Sequence, residues 1–201
     1  LIEKIFYLQP CLTVARELIG KVLIRKKGRK IYAGIIVETE AYTGASDAAS
    51  HSHMGPTKRN EQMFNEGGIV YVYFTYGNHY CMNVVTGRSG LPHAVLIRAL
   101  EPVKGLRYMM ANRGKDDIYE LCSGPGKLCQ AMEIDLSQNG EPLNGDKIIL
   151  VEPEVNLKRK IIRTKRIGIT KNADMLYRFL DSQSPFVSRI NRRAILSKTT
   201  K

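Results

Sequence analysis

Tryptophan is absent from this 201-residue chain, and acidic side chains are scarce: 19 Asp and Glu face 31 Lys and Arg, a net charge of +12 with a pI near 9.6. That imbalance excludes an acidic, solvating chain and points to a polyanionic partner. Cysteines are few. Cys11, Cys81, Cys122 and Cys129 show neither C-x-x-C spacing nor the density of a secreted disulfide framework. Reduced thiols in an intracellular compartment are therefore expected, with Cys122 and Cys129 packing rather than binding. No apolar run approaches the ~18 residues that cross a bilayer, and the N-terminus does not read as a signal peptide, so no membrane partner is expected. Linker-like tracts, low-complexity blocks and internal repeats are also missing, and one domain spanning 1–201 is expected, acting as a monomer.

Several catalytic signatures are lacking as well. Without G-x-S-x-G or a Walker loop, nucleophilic serine and phosphoryl chemistry have no support. "HSH" and "HYC" offer His51, His53, His79 and Cys81 as ligand atoms. There is no H-E-x-x-H, however, and the P-C-x-x-C segment that zinc deaminases of nucleobases require is missing, so neither a metal nor a cofactor is expected.

What is present reads as hairpins followed by helices. Leu12, Ala15 and Leu18 or Ile19 fall at helical spacing, with Gly20 as a left-handed stop. "KVLIRK" and "KIYAGIIVET" read as two strands joined by a basic turn at Gly28, with Glu40 where the second strand runs out. In "IVYVYFTYGNHYCMNVV", Val70, Val72 and Phe74 alternate with Tyr71, Tyr73 and Thr75 around a turn near "TYGNH". "HAVLIRAL" is a nearly continuous apolar strand interrupted by Arg98, and Pro102 is expected to open a helix. "CSGPGKLCQAMEI" reads as a helix with Lys127 in its first turn, "GDKIILVEP" and "RKIIRTKRIGI" as strands, and "YRFLDSQSPFVS" as a final strand or loop. With no repeated βαβ unit, the fold class is α+β: a curved, largely antiparallel sheet with flanking helices.

The polar residues raise a sharper question. Glu38 and Glu40 on an apolar strand are followed closely by Tyr42 and His51. Taken singly, Glu40 reads as an exposed carboxylate or helix cap, and the tyrosines as residues with one wet end. Together Tyr42, His51 and Tyr73 can wall a flat ligand. Tyr76 in a tight turn has no obvious burial site and suggests a wedge between stacked bases. Arg98 and Asn83 in apolar strands need partners or a pocket. Basic residues gather in "LKRKIIRTKR" (Lys158, Arg159, Lys160, Arg163, Lys165, Arg166) and in "SRINRRA", which suits a folded surface facing phosphates or simply a solvated face.

The ordered blocks "GIIVETEAY", "SDAASHS", "RNEQMF", "VYVYFTYGNHYCMNVV", "VLIRALEP" and "LCSGPGKLCQAM" resemble the alkyladenine DNA glycosylase family, also called 3-methyladenine DNA glycosylase of the mammalian type, from about Gly34 to Met132. The resemblance implies hydrolysis of the N-glycosidic bond of alkylated, and in some cases deaminated or etheno, purines in duplex DNA, leaving an abasic site. It implies Glu40 as the base that activates water, Tyr42 on one face of the extruded purine and His51 and Tyr73 on the other, and Tyr76 in the vacated space. Asn83 would crowd a guanine 2-amino group and Arg98 would lie beside the base and its water, while Arg59, Met63 and Lys127 would lie near the DNA. Lys58, Asn78, Leu176 and Phe186 stand where the family commonly has other residues. A damaged-DNA or RNA binder without chemistry is the alternative, and Glu40 is the residue that separates the two.

Overall fold

The first hairpin starts the sheet. In a computed structural model of the protein, which describes residues 1–155 and 158–188, β1 (Val22–Lys27) runs antiparallel to β2 (Lys30–Tyr42), and the chain reverses at Gly28 with φ +55°. Ahead of them stand the one-turn helix α1 (Lys4–Tyr7) and α2 (Cys11–Glu17), the latter burying Cys11, Val14 and Ala15. Gly20, at φ +94°, makes the left-handed exit expected of it.

The second hairpin joins β3 (Val70–Thr75) to β4 (His79–Thr86), and β5 (His93–Lys104) lies between β4 and β2. On the other side of β2, β1 occupies its first half and is followed outward by β6 (Ile148–Val151). The second half of that same edge, Glu38 to Glu40, takes β8 (Arg178–Asp181), which carries β7 (Ile161–Thr164). Every pairing is antiparallel and the order is β3-β4-β5-β2-β1-β6 with β8 and β7 branching from β2, so the fold is α+β with a curled sheet.

Helices α3 (Leu106–Arg113), α4 (Ile118–Leu121) and α5 (Pro125–Ala131) cover one face of the sheet, with α5 against β4 and β5. The core between them contains Ile36, Val72, Met82, Ile97, Leu100 and Leu128, each such side chain contributing about 1.5–3 kcal/mol by leaving water. All four cysteines are free and buried. Among the described residues, no helix is long and apolar enough to cross a membrane.

Two expectations are corrected. Pro102 does not open a helix: β5 continues to Lys104, with Pro102 opposite Gly34 at an irregularity of the ladder. Proline is tolerated in a sheet where pairing is already interrupted. The helix instead begins after Gly105, whose φ of +82° turns the chain. Nor does β2 end at Glu40. It runs to Tyr42, and Glu40 is paired on both sides, to Leu96 of β5 and Arg178 of β8.

Candidate active site

Residues 38 and 40 share a face because side chains alternate along a strand, and both carboxylates are fully buried. Such burial is tolerated only with dense hydrogen bonding. Glu38 receives it from Arg98 Nε (2.9 Å), Arg178 Nε (2.7 Å), Ser188 Oγ (2.7 Å) and Ser188 N (2.6 Å). Glu40 accepts from Ile167 N at Oε1 (2.8 Å), and from the Tyr42 hydroxyl (2.9 Å) and Arg98 Nη1 (3.2 Å) at Oε2. A carboxylate has about four acceptor positions, so among the described residues one on Oε1 is left for a further donor.

Arg98 reaches both carboxylates because of a bulge. Between Glu38 and Thr39 the partner on β5 jumps from Ala99 to Ile97, and the skipped residue is Arg98. Bulges commonly re-aim a side chain in this way. Burial alone would lower the Arg98 pKa, but Glu40 and Glu38 outweigh it and hold the guanidinium more basic than usual. Burial, reinforced by Glu40, pushes the Tyr42 hydroxyl well up, so it stays a donor.

Above these groups opens a cleft of about 190 Å³, lined among others by Tyr42, His51, Tyr73, Asn83, Arg98 and Ile167. That is below the ~300 Å³ of ordinary small-molecule pockets and suits one flat ring system. Glu40 does not itself line the cleft. It is tied to the cleft through its wall: its three hydrogen-bond donors among the described residues all belong to lining residues. Among the lining residues the His51 and Tyr73 rings meet edge to face at 4.4 Å, and His51 Nδ1 lies 3.1 Å from the Tyr71 hydroxyl. Burial, then Arg59, lower the His51 pKa, so its ring is neutral near pH 7. Asn60 fixes the His51 loop by donating to the His51 and Gly55 carbonyls. Asn83 donates to the Tyr71 carbonyl (3.1 Å), which occupies its amide nitrogen and leaves the side-chain oxygen without a protein donor among the described residues.

At the rim, Tyr76 is 84% exposed at the hairpin tip with φ +50°. A bulky residue in the left-handed region is a strained exception, here followed by Gly77 at φ +70°. Arg59 lies exposed, donating to the Phe74 carbonyl (2.9 Å) with its guanidinium 5.5 Å from the Tyr73 ring. Lys127 stands in the first turn of α5, whose Pro125 joins the cleft wall. Met63 is 2% exposed and joins the cleft lining from a small apolar cluster with Tyr71, Val85 and Ala94. His53 turns away to the Ala45 carbonyl, and His79 packs against Gly126.

The basic run divides. Arg159 pairs with Asp181 (2.9 Å), Lys165 with Asp174, and Arg166 is buried, while Lys158 and Lys160 are exposed. Most of "SRINRRA" lies outside the described residues. Arg166, read with the basic run as a surface residue, instead forms a fully buried two-pronged pair with Asp47 (2.5 and 2.8 Å), which the sequence did not single out, and also donates to the Ala41 carbonyl (2.9 Å). Burial alone would raise the Asp47 pKa, yet Arg166 and two backbone N–H groups bring it below the usual carboxylate value. The partners are 119 residues apart, and no local pattern announces them.

The methylpurine-DNA glycosylase family profile matches residues 5–185. Similar chains include relatives provisionally named 3-methyladenine DNA glycosylase. One from Chlorobium phaeobacteroides is 47% identical over 91% of this chain and 92% of its own. One from Francisella tularensis is 48% identical over 87% and 92%, and one from Carboxydothermus hydrogenoformans 47% over 94% and 99%. An aromatic cleft laid over a buried, hydrogen-bonded carboxylate on a basic protein is thus found in a chain that belongs to the methylpurine-DNA glycosylase family.

Proposed function

We propose that this protein excises alkylated purines, and beside them deaminated or etheno purines, from duplex DNA by extruding the nucleotide and hydrolysing its N-glycosidic bond. Tyr42 takes one face of the extruded base and His51 and Tyr73 the other. Tyr76 fills the gap left in the helix, offsetting the few kcal/mol that unstacking costs. Arg59 and Lys127 contact the backbone and set position rather than sequence, whereas Met63 acts from within the wall.

The observation that carries this reading is the carboxylate of Glu40, three of its acceptor positions filled by cleft-lining groups and one left open among the described residues. In that position a water donates to Oε1. As the C1′–N bond breaks, its electron pair leaves with the purine, the water oxygen bonds to C1′, and its proton passes to Glu40. General-base action of this kind contributes typically about 10²–10⁴-fold. Arg98, shared between Glu38 and Glu40, positions the base without carrying the proton. No lysine is among the described residues lining the cleft, so an amine that would form a Schiff base and nick the strand is missing there.

The test is Glu40→Gln. Release of free base from a duplex carrying one alkylated purine should fall by at least about a hundredfold, with lesion binding within a factor of about two. Unchanged release would reassign Glu40, and lesion binding with no release by the unaltered chain would leave a binder.

A further inference from the structure

Tyr42 has two neighbours of opposite kind. One is the cleft that its ring lines; the other is Arg166, whose guanidinium carbon lies 4.7 Å from the ring centroid and which does not line the cleft. The same guanidinium lies 5.3 Å from the Tyr177 ring, so a cation is held between two aromatic faces, behind the wall the substrate meets. Asp47 on two nitrogens and the Ala41 carbonyl keep it there.

We propose that Arg166 sets the charge preference of the cleft by weakening the hold of Tyr42 on cationic bases relative to neutral ones. An aromatic face attracts a cation through its electron-rich quadrupole. A guanidinium already drawing on that ring from behind, in surroundings that screen it poorly, leaves less for a positively charged purine on the cleft side, and repels it directly through the ring. A neutral damaged base loses far less, because its contact with Tyr42 is mostly dispersion and area. Asp47 tempers the effect: its carboxylate, 2.5 and 2.8 Å from the guanidinium nitrogens, cancels part of the positive field. The pair therefore acts as a dial, with Arg166 turning the cleft away from cationic substrates and Asp47 turning it back.

This inference rests on the glycosylase reading above. The test compares single-turnover release of a cationic base, 7-methylguanine, and a neutral one, hypoxanthine, from otherwise identical duplexes. Reading the ratio of the two rates cancels losses common to both. Asp47→Asn with Arg166→Gln removes both charges while keeping a hydrogen-bonding pair, and the ratio of cationic to neutral release should rise about threefold to tenfold. Asp47→Asn alone leaves the guanidinium untempered, and the ratio should fall below that of the unaltered chain by about twofold or more. Opposite movements support the proposal, since general loosening of the cleft would move both variants the same way. If the double variant does not fold, Asp47→Asn decides alone, and an unchanged or rising ratio overturns the proposal. Release of both bases with an unmoved ratio overturns this inference only, whereas an unaltered chain that releases neither base overturns the glycosylase reading and this inference with it.

Discussion

Asn83 is held by its amide donation to Tyr71, so its side chain meets the cleft in one fixed orientation. On the proposed reading, a purine with an exocyclic amine at C2 is crowded by it. Asn83→Ser shortens the side chain and should raise release of guanine-type lesions relative to adenine-type ones by about tenfold, at the scale of one removed steric contact, read as a ratio of single-turnover rates. Such residues were legible in the sequence because polar side chains in apolar strands need a partner or a pocket; Arg98 and Asn83 stood out on that ground. Arg166 did not, because in "KRIGI" it is one of many basic residues and its partner Asp47 belongs to another part of the chain. Met63, placed near the DNA by family likeness, reaches the cleft lining from the short 3₁₀ turn Glu61–Phe64 while packing with Tyr71, Val85 and Ala94, an arrangement no local pattern announces.

Strands β1 to β4 could be read directly, since period-two alternation and glycine turns are local signals. The end of β5 could not. A proline ahead of a helical pattern resembles a helix start, whereas here it marks a ladder irregularity, and Gly105 makes the turn. A Cβ at Gly105 would stand 2.6 Å from the Ile31 carbonyl oxygen, on a backbone with φ +82°. Gly105→Ala should therefore cost about 2–4 kcal/mol, seen as a Tm lower by roughly 5–15 °C. Excision well below that Tm should be unchanged, because position 105 does not line the cleft. The bulge at Arg98 was equally hidden: the sequence contains the arginine, but the skipped pairing is set between β2 and β5, strands far apart in the chain, and leaves no local pattern.

At the scale of the whole molecule, pH acts through groups whose pKa differs between folded and unfolded chains. Burial lowers His51, with Arg59 adding to it, and burial lowers His93. On acidification the unfolded chain takes up these protons near pH 6.5, before the folded one does, so stability falls as pH drops through that value and goes on falling until the lowered native values are passed. Asp47 acts in the same direction but lower on the pH scale: the stability of its pair with Arg166 is fully present above the ordinary carboxylate value and is lost as pH falls through its lowered one. Thermal melts at about pH 7.5 and about pH 5.5 should therefore show a lower Tm at the acid value, and His51→Gln with His93→Gln should narrow that gap; an equal gap would reassign it to other groups. Finally, β2 is flanked along both edges from Glu38 to Glu40. Its backbone amides there should exchange with deuterated solvent only when the entire chain opens, so inactivation by heat and collapse of the native structure should be a single event.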